Sequence, residues 1–398
     1  MPGSYIVAGA RTPIGKLSGA LAPFSAAQLG GFAIAEALKR AGVTADQVDH
    51  VIVGQVLTAG QGQIPARQAA TMAGIPLRVP ALTVNKVCLS GLNAIYLADQ
   101  MISCGDADIV IAGGIESMTN APYLAVGARG GFRYGNVELQ DAIVTDGLWC
   151  SFDACLMGQS TERYSAHGIT RDQQDAFAMK SNERAAEAIK SGRLAEEIVP
   201  VSIPQRRGSK KDSEPLLIET DEGVRPGTSM ESLATLKPAF DKEGTITAAN
   251  ASQISDGGSA VVMMSEKALK ACGVTPLGQF VSYGMVAGPD NVSLLQQPSS
   301  AIKAALARAS KKVGDIDLFE INEAFAAVAL ASMADLGISD EIVNVNGGAI
   351  AMGHPLGMSG NRVALTLLHE LRRHGGGLGA AALCGGGGQG DALIVRSL

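Results

Sequence analysis

The chain of 398 residues has little charge, few aromatic rings and no long hydrophobic run. Charged residues make up 18%, against ~25% in ordinary soluble domains, and 46% of residues are apolar, so a disordered protein is excluded. Lys and Arg number 32 and Asp and Glu 38, a net charge of −6 that offers no basic footprint for nucleic acid or an anionic membrane. The longest apolar stretch, Ala324 to Ala334, is closed by Asp335 and Gly337. It is shorter than the ~18 residues of a membrane span. Met1-Pro2-Gly3-Ser4 runs straight into a strand-like Tyr5-Ile6-Val7-Ala8 without a basic n-region, so no secretory leader is expected. The terminal Arg396-Ser397-Leu398 is not a Ser-Lys-Leu address, and the expected location is cytoplasmic. Six cysteines stand at 88, 104, 150, 155, 272 and 384 with no Cys-x-x-Cys pair, so neither a zinc site nor a disulfide framework is expected. What the chain has in excess is glycine, 49 residues, much of it in clusters.

An internal repeat organises the sequence. Ala37-Leu38-Lys39-Arg40-Ala41 followed by Val48 to Val53 resembles Ala305-Leu306-Ala307-Arg308-Ala309 followed by Ile316 to Ile321, at one offset of 268 positions. Each copy reads as an amphipathic helix, a turn and a buried strand. Ser90-Gly91 and Ser359-Gly360 each open a further helix that leads to an apolar strand, Ile109 to Ala112 and Ala380 to Leu383. Such alternation indicates duplicated α/β halves with largely parallel, buried strands. The strand ends Gly54-Gln55 and Asn322-Glu323 then face one shared centre. Residues 120–250 differ in texture, with more Tyr, Phe and Arg and a helix expected near Arg171 to Ser191. This reads as an insertion that covers the site. The expected division is 1–119 and 251–272 for the first half, 120–250 for the insertion and 273–398 for the second half.

Four segments place reactive side chains where strands give way to loops or helices: Asn85-Lys86-Val87-Cys88-Leu89-Ser90-Gly91, Asn322-Glu323-Ala324-Phe325, Gly347 to Gly357 with His354, and Cys384-Gly385-Gly386-Gly387-Gly388-Gln389-Gly390. Cys88 just before a helix should be held toward the thiolate by the unpaired N–H groups there, with His354 as its base. His354 also fits a core imidazole satisfied by a backbone carbonyl, and Glu323 fits a plain helix N-terminal acid. The glycines after Cys384 cost backbone entropy, so something must approach the bare backbone, unless they form a loose surface loop.

Together, in this order and over essentially the whole chain from Ala10-Arg11-Thr12-Pro13 to Gly390, these runs resemble the four signatures of the thiolase family, closest to its acetyl-CoA acetyltransferase (acetoacetyl-CoA thiolase) branch. The resemblance implies a five-layered αβαβα fold of two duplicated halves with an inserted loop domain, in agreement with the repeat. It implies reversible Claisen condensation of two acetyl-CoA molecules. Cys88 would take the acyl group, and His354 would deprotonate it and help hold the second thioester oxygen. Cys384 would move the α-proton, Asn322 would fix a water in one oxyanion hole, and the N–H groups of Cys88 and Gly386 would form the other.

Coenzyme A enters as substrate and product, with no permanently bound cofactor and no metal. The resemblance points to Arg225, Ser252, Met157, Ala248 and Phe325 as its contacts, while Arg225 and Ser252 alone also fit plain surface polarity. Arg206 to Lys211 reads as a solvated charge run. One departure stands out: Leu156-Met157-Gly158 replaces the usual His-Met-Gly of short-chain biosynthetic members, which leaves room for a broader 3-ketoacyl-CoA thiolase. Residues 123–143 resemble the family's tetramerisation loop, so a homotetramer is expected. A ketosynthase would carry two His or His and Asn in place of His354 and Cys384. A cysteine hydrolase would leave Cys384 and the duplication without a role, and a non-catalytic CoA-binding relative would lack a reactive side chain.

Overall fold

A computed structural model describes residues 3–165, 168–203 and 215–398. The Arg206 to Lys211 run lies outside the described residues. The first half supplies β1 (Ser4–Arg11), α1 (Ala26–Ala41), β2 (His50–Gly54), α2 (Pro65–Met72), β3 (Ala81–Val84), α3 (Ser90–Cys104), β4 (Ile109–Ser117) and, after a long insertion, β5 (Ser255–Ser265). The insertion contains α4 (Arg171–Lys190), which begins at a capping box between Thr170 and Gln173. The second half supplies β6 (Gly278–Ala287), α5 (Gln297–Arg308), β7 (Leu318–Ile321), α6 (Ala326–Leu336), α7 (Leu356–Arg373), β8 (Gly377–Gly385) and β9 (Gln389–Ser397).

The strand order makes the duplication explicit. It runs β3-β2-β4-β5-β1 and then β6-β9-β8-β7, with Val343 bridging to Phe319 beyond β7. Numbered within its own half, each sheet reads 3-2-4-5-1, and the two meet where Tyr5 and Ile6 pair with Gln279 and Gly278. Where β4 and β5 are separated by the insertion, β8 and β9 are joined by the turn Gly386 to Gly388. The strands are buried as expected but not largely parallel. Among the described strands only β2 with β3 and β4, and β7 with β8, run parallel, as does the bridge from Phe319 to Val343. The hairpin return of β9, and the matching return of β5, force antiparallel pairing on the other strands of each sheet.

Three apolar clusters fill the gaps between five layers. One lies between α1, α2 and the first sheet, with Ile34, Leu38 and Val51. A second lies between the second sheet and α5, α6, with Ile302, Phe319 and Met333. The third holds α3 and α7 between the sheets, with Leu92, Ile95, Val363 and Leu367. The repeated Ser-Gly pairs mark where these two middle helices cross. A Cβ on Gly91 would stand 2.7 Å from the Gly357 carbonyl oxygen, and one on Gly360 would stand 2.3 Å from the Leu92 nitrogen. Only bare backbone fits there.

Gly91→Ala should therefore lower the melting temperature despite alanine's better helix propensity. Forcing the helices apart costs about 1–3 kcal/mol, against the ~1 kcal/mol that propensity returns. Gly314 has open space around it, so Gly314→Ala should melt like the parent. Equal melting of the two variants would contradict this packing.

Candidate active site

Cys88 is presented by a strained turn. Val87, a β-branched residue, sits at φ +50°, a conformation such side chains rarely adopt. The Ser90 hydroxyl accepts from the Lys86 N–H at 2.8 Å and donates to the Val87 carbonyl at 2.6 Å. Asn85 Oδ1 accepts from the Val87 N–H, and Lys86 pairs with buried Asp391 at 2.7 Å. These bonds hold the turn so that Cys88 faces inward ahead of α3.

His354 sits on the other half, just before α7. The Ser359 hydroxyl donates to the Pro355 carbonyl at 2.9 Å, so it accepts from His354 Nδ1–H, 2.5 Å away. That leaves Nε2 as the free base, 3.4 Å from Asn322 Nδ2. Asn322 is fully buried and its Oδ1 has no partner among the described residues. Glu323 beside it is no surface acid: buried, it accepts from the Ser181 hydroxyl, Asn344 Nδ2 and the Ile350 N–H. Gln253, just ahead of β5, fastens the segment, since its Nε2 donates to the carbonyls of Gly223, Ile350 and Ala351 and its backbone carbonyl accepts from the His354 N–H.

Cys88, His354, Cys384, Gly385 and Gly386 line one cavity of about 50 Å³. At ~10–15 Å³ per water-sized group, this admits about three to five such groups, room for an acetyl and little more. Leu148, Met157, Phe325 and Leu356 are shared with a larger, mainly apolar cavity of about 550 Å³. All five expected coenzyme A contacts, Arg225, Ser252, Met157, Ala248 and Phe325, line that larger cavity. So does Leu156, which places its departure from the usual His on that side and off the lining of the small cavity. Lys16 joins Arg225 there as a second cation, and Phe240 packs edge-on against Phe325. Among the described residues no group of His, Cys, Asp and Glu could hold a metal.

The electrostatics correct one expectation. The start of α3 does not hold Cys88 as a thiolate. Burial pushes its thiol up to about 12, and the nearby Glu116 carboxylate adds to the rise. Burial, followed by the Arg362 guanidinium, pushes His354 down to about 3. Cys384 is raised further, by burial and then by Cys88. The resting pair is a neutral thiol and a neutral imidazole lining the same cavity.

Sequence comparison assigns residues 4–267 to the thiolase N-terminal domain and 274–397 to the thiolase C-terminal domain. The chain belongs to the thiolase family. This thiolase is 56% identical to a probable acetyl-CoA acetyltransferase of Mycobacterium leprae over the full length of both chains. It is 52% identical to an acetyl-CoA acetyltransferase of Cupriavidus necator and 50% identical to one of Pseudomonas aeruginosa, each over 98% of both chains. Of the residues that shape its site, Gln253, Lys16 and Leu148 carry no signature of their own in the sequence, and Ser359 is marked there only as a helix start, because their roles in the site arise from tertiary contacts.

Because Cys88 in this thiolase rests as a thiol raised to about 12, its alkylation by iodoacetamide should accelerate steadily through pH 7, 8 and 9 without levelling off. A plateau near neutral pH, the mark of a preformed thiolate, would contradict the resting state described.

Proposed function

We propose that this thiolase is an acetyl-CoA acetyltransferase that condenses two acetyl-CoA to acetoacetyl-CoA and free coenzyme A, reversibly and through an acetyl-Cys88 intermediate. The observation that carries the reading is the small cavity, in which two thiols, one imidazole and the bare Gly385-Gly386 backbone meet in space for a two-carbon acyl group.

His354 Nε2 takes the Cys88 proton as Sγ attacks the acetyl carbon. The coenzyme A sulfur leaves with the proton of Cys384. Cys384 is then a thiolate whose raised proton affinity suits it to take the α-proton of a second acetyl-CoA. Protonated His354 and a water held by Asn322 face the enolate oxygen. The carbanion attacks acetyl-Cys88, whose oxygen is held by the N–H groups of Cys88 and Gly386. The Cys88 sulfur departs and recovers its proton from His354, which restores the resting state. Each oxyanion donor is worth ~3 kcal/mol, and each proton-transfer group ~10²–10⁴ in rate.

Arg225 and Lys16 provide the local positive charge for an anionic coenzyme A on a chain of net charge −6. Met157, Ala248, Ser252 and Phe325 meet the pantetheine arm. We place the protein in the cytoplasm, in fatty acid metabolism, as a homotetramer. Tyr123, Val126, Tyr134 and Leu139, all exposed, fall in the segment that would join the subunits. The working division into 1–119 with 251–272, 120–250 and 273–398 is kept with this reading.

Steady-state thiolysis tests it. Acetoacetyl-CoA should be cleaved, with kcat/KM falling ~10-fold or more for each lengthening of the 3-ketoacyl chain. No turnover of acetoacetyl-CoA would remove the reading, and equal turnover of long chains would favour the broader thiolase. Cys384→Ser should lose condensation yet still bind coenzyme A.

A further inference from the structure

The duplication places the same cradle in the molecule twice. At the offset of 269 that relates Ser90-Gly91 to Ser359-Gly360, Cys88 corresponds to Gly357, and Gly385 and Gly386 correspond to Glu116 and Ser117. At the offset of 268 that relates β2 to β7, Ala324 and Phe325 correspond to Val56 and Leu57. Ala324, Phe325, Gly385 and Gly386 of the second half line the catalytic cavity together with Cys88 of the first. In the first half, the equivalent place is filled by the Glu116 side chain. Its Oε2 accepts from the Gly357 N–H at 2.9 Å and from the Val56 N–H at 3.0 Å, and Oε1 accepts from the Leu57 N–H at 3.1 Å. Glu116 is fully buried, and none of these three partners is a side chain.

We propose that Glu116 is a built-in carboxylate occupying a second, non-catalytic anion cradle, and that in doing so it positions His354. Gly357 lies in the first turn of α7, three residues after His354, and Val56 and Leu57 follow β2. One carboxylate therefore ties the imidazole-bearing turn of one half to two strand ends of the other. Glycine at 385 opens the cradle for substrate, whereas glutamate at 116 closes its twin. All three partners are N–H donors at a helix start or strand end, so they favour the ionised carboxylate. Burial works against them and brings Glu116 up to about 7, with Asp256 on β5 as a neighbouring charge. Its charge also reaches Cys88 ahead of α3. At pH 8 the carboxylate is mostly ionised. The role ascribed to Glu116 rests on the Cys88–His354 chemistry proposed above.

The test removes the carboxylate and gives a small one back. Glu116→Ala in the full chain should lose about 10²-fold in kcat, with KM for acetoacetyl-CoA changed less than about threefold, because the loss is one of positioning. Sodium formate, compared with sodium chloride at equal ionic strength, should restore about tenfold or more of that loss. It should also raise the melting temperature of Glu116→Ala and leave that of the parent unmoved. Formate doing no more than chloride in both readouts would overturn the proposal, as would parental turnover in Glu116→Ala. If that variant does not fold, Glu116→Gln keeps the volume without the charge. It should turn over slowly and ignore formate, and parental turnover in it would equally overturn the proposal. Should the parent itself fail to cleave acetoacetyl-CoA, the enzymatic reading falls, while the melting response of Glu116→Ala to formate still decides the cradle.

Discussion

Two helices that touch through bare backbone set the geometry of everything else. At Gly91 and Gly360 there is no room for a methyl group, so α3 and α7 cross at their first turns, between the sheets and on the pseudo-twofold relation of the halves. The crossing brings both helix N-termini, and the strand ends beside them, to one place. Cys88 precedes one helix and His354 the other, so the proposed nucleophile and base come from different halves and meet only because the halves are locked at that crossing. Gly357 extends the contact: a Cβ there would stand 2.5 Å from the Ile115 carbonyl oxygen and 2.7 Å from the Gln55 Cα.

Around this symmetric frame, the asymmetry is where specificity resides. The first half diverts its chain between β4 and β5 into an insertion, and the second half closes the same connection with a short glycine turn. The insertion contributes half of the lining of the larger cavity, including Leu156, Met157, Arg225, Phe240 and Ala248. The turn contributes Gly386 to the smaller one. One half thus provides a deep slot for a long substrate arm, and the other leaves bare N–H groups beside the reacting carbon. An overall negative charge is no obstacle, because field strength at the mouth depends on nearby Lys16 and Arg225 more than on the distant total.

Much of this was legible in the sequence, for identifiable reasons. The repeat at Ala37 and Ala305 exposed the duplicated architecture because helix and strand periodicities survive in both copies. Cys88 and Cys384 stand where a strand gives way to a turn that glycine marks, whereas His354 stands in a glycine-flanked bend between a short helix, Ala349–Met352, and α7. Strand direction was not legible, since buried strands look alike whether parallel or antiparallel, and only the hairpin through Gly386 to Gly388 decides it. The ionisation of Cys88 was misread because a helix start favours thiolate, whereas the apolar enclosure that outweighs it is built by Leu148, Met157 and Leu356 from distant segments. Ser359 was legible as a helix start but not as the partner of His354, and Gln253 not at all, for serine and glutamine acquire such roles only from what the fold sets against them.

The proposed catalysis rests on two thiols kept neutral at rest and ionised in turn, one by His354 and the other by the leaving sulfur of coenzyme A. The central claim is that the acyl group passes through Cys88 alone. Mass spectrometry of peptides from the chain quenched in acid after mixing with acetyl-CoA tests it most directly. The account predicts one acetyl group, on the peptide carrying Cys88, that disappears when coenzyme A is added before the quench. Acetyl on Cys384 in place of Cys88, or no covalent acetyl while turnover proceeds, would contradict it.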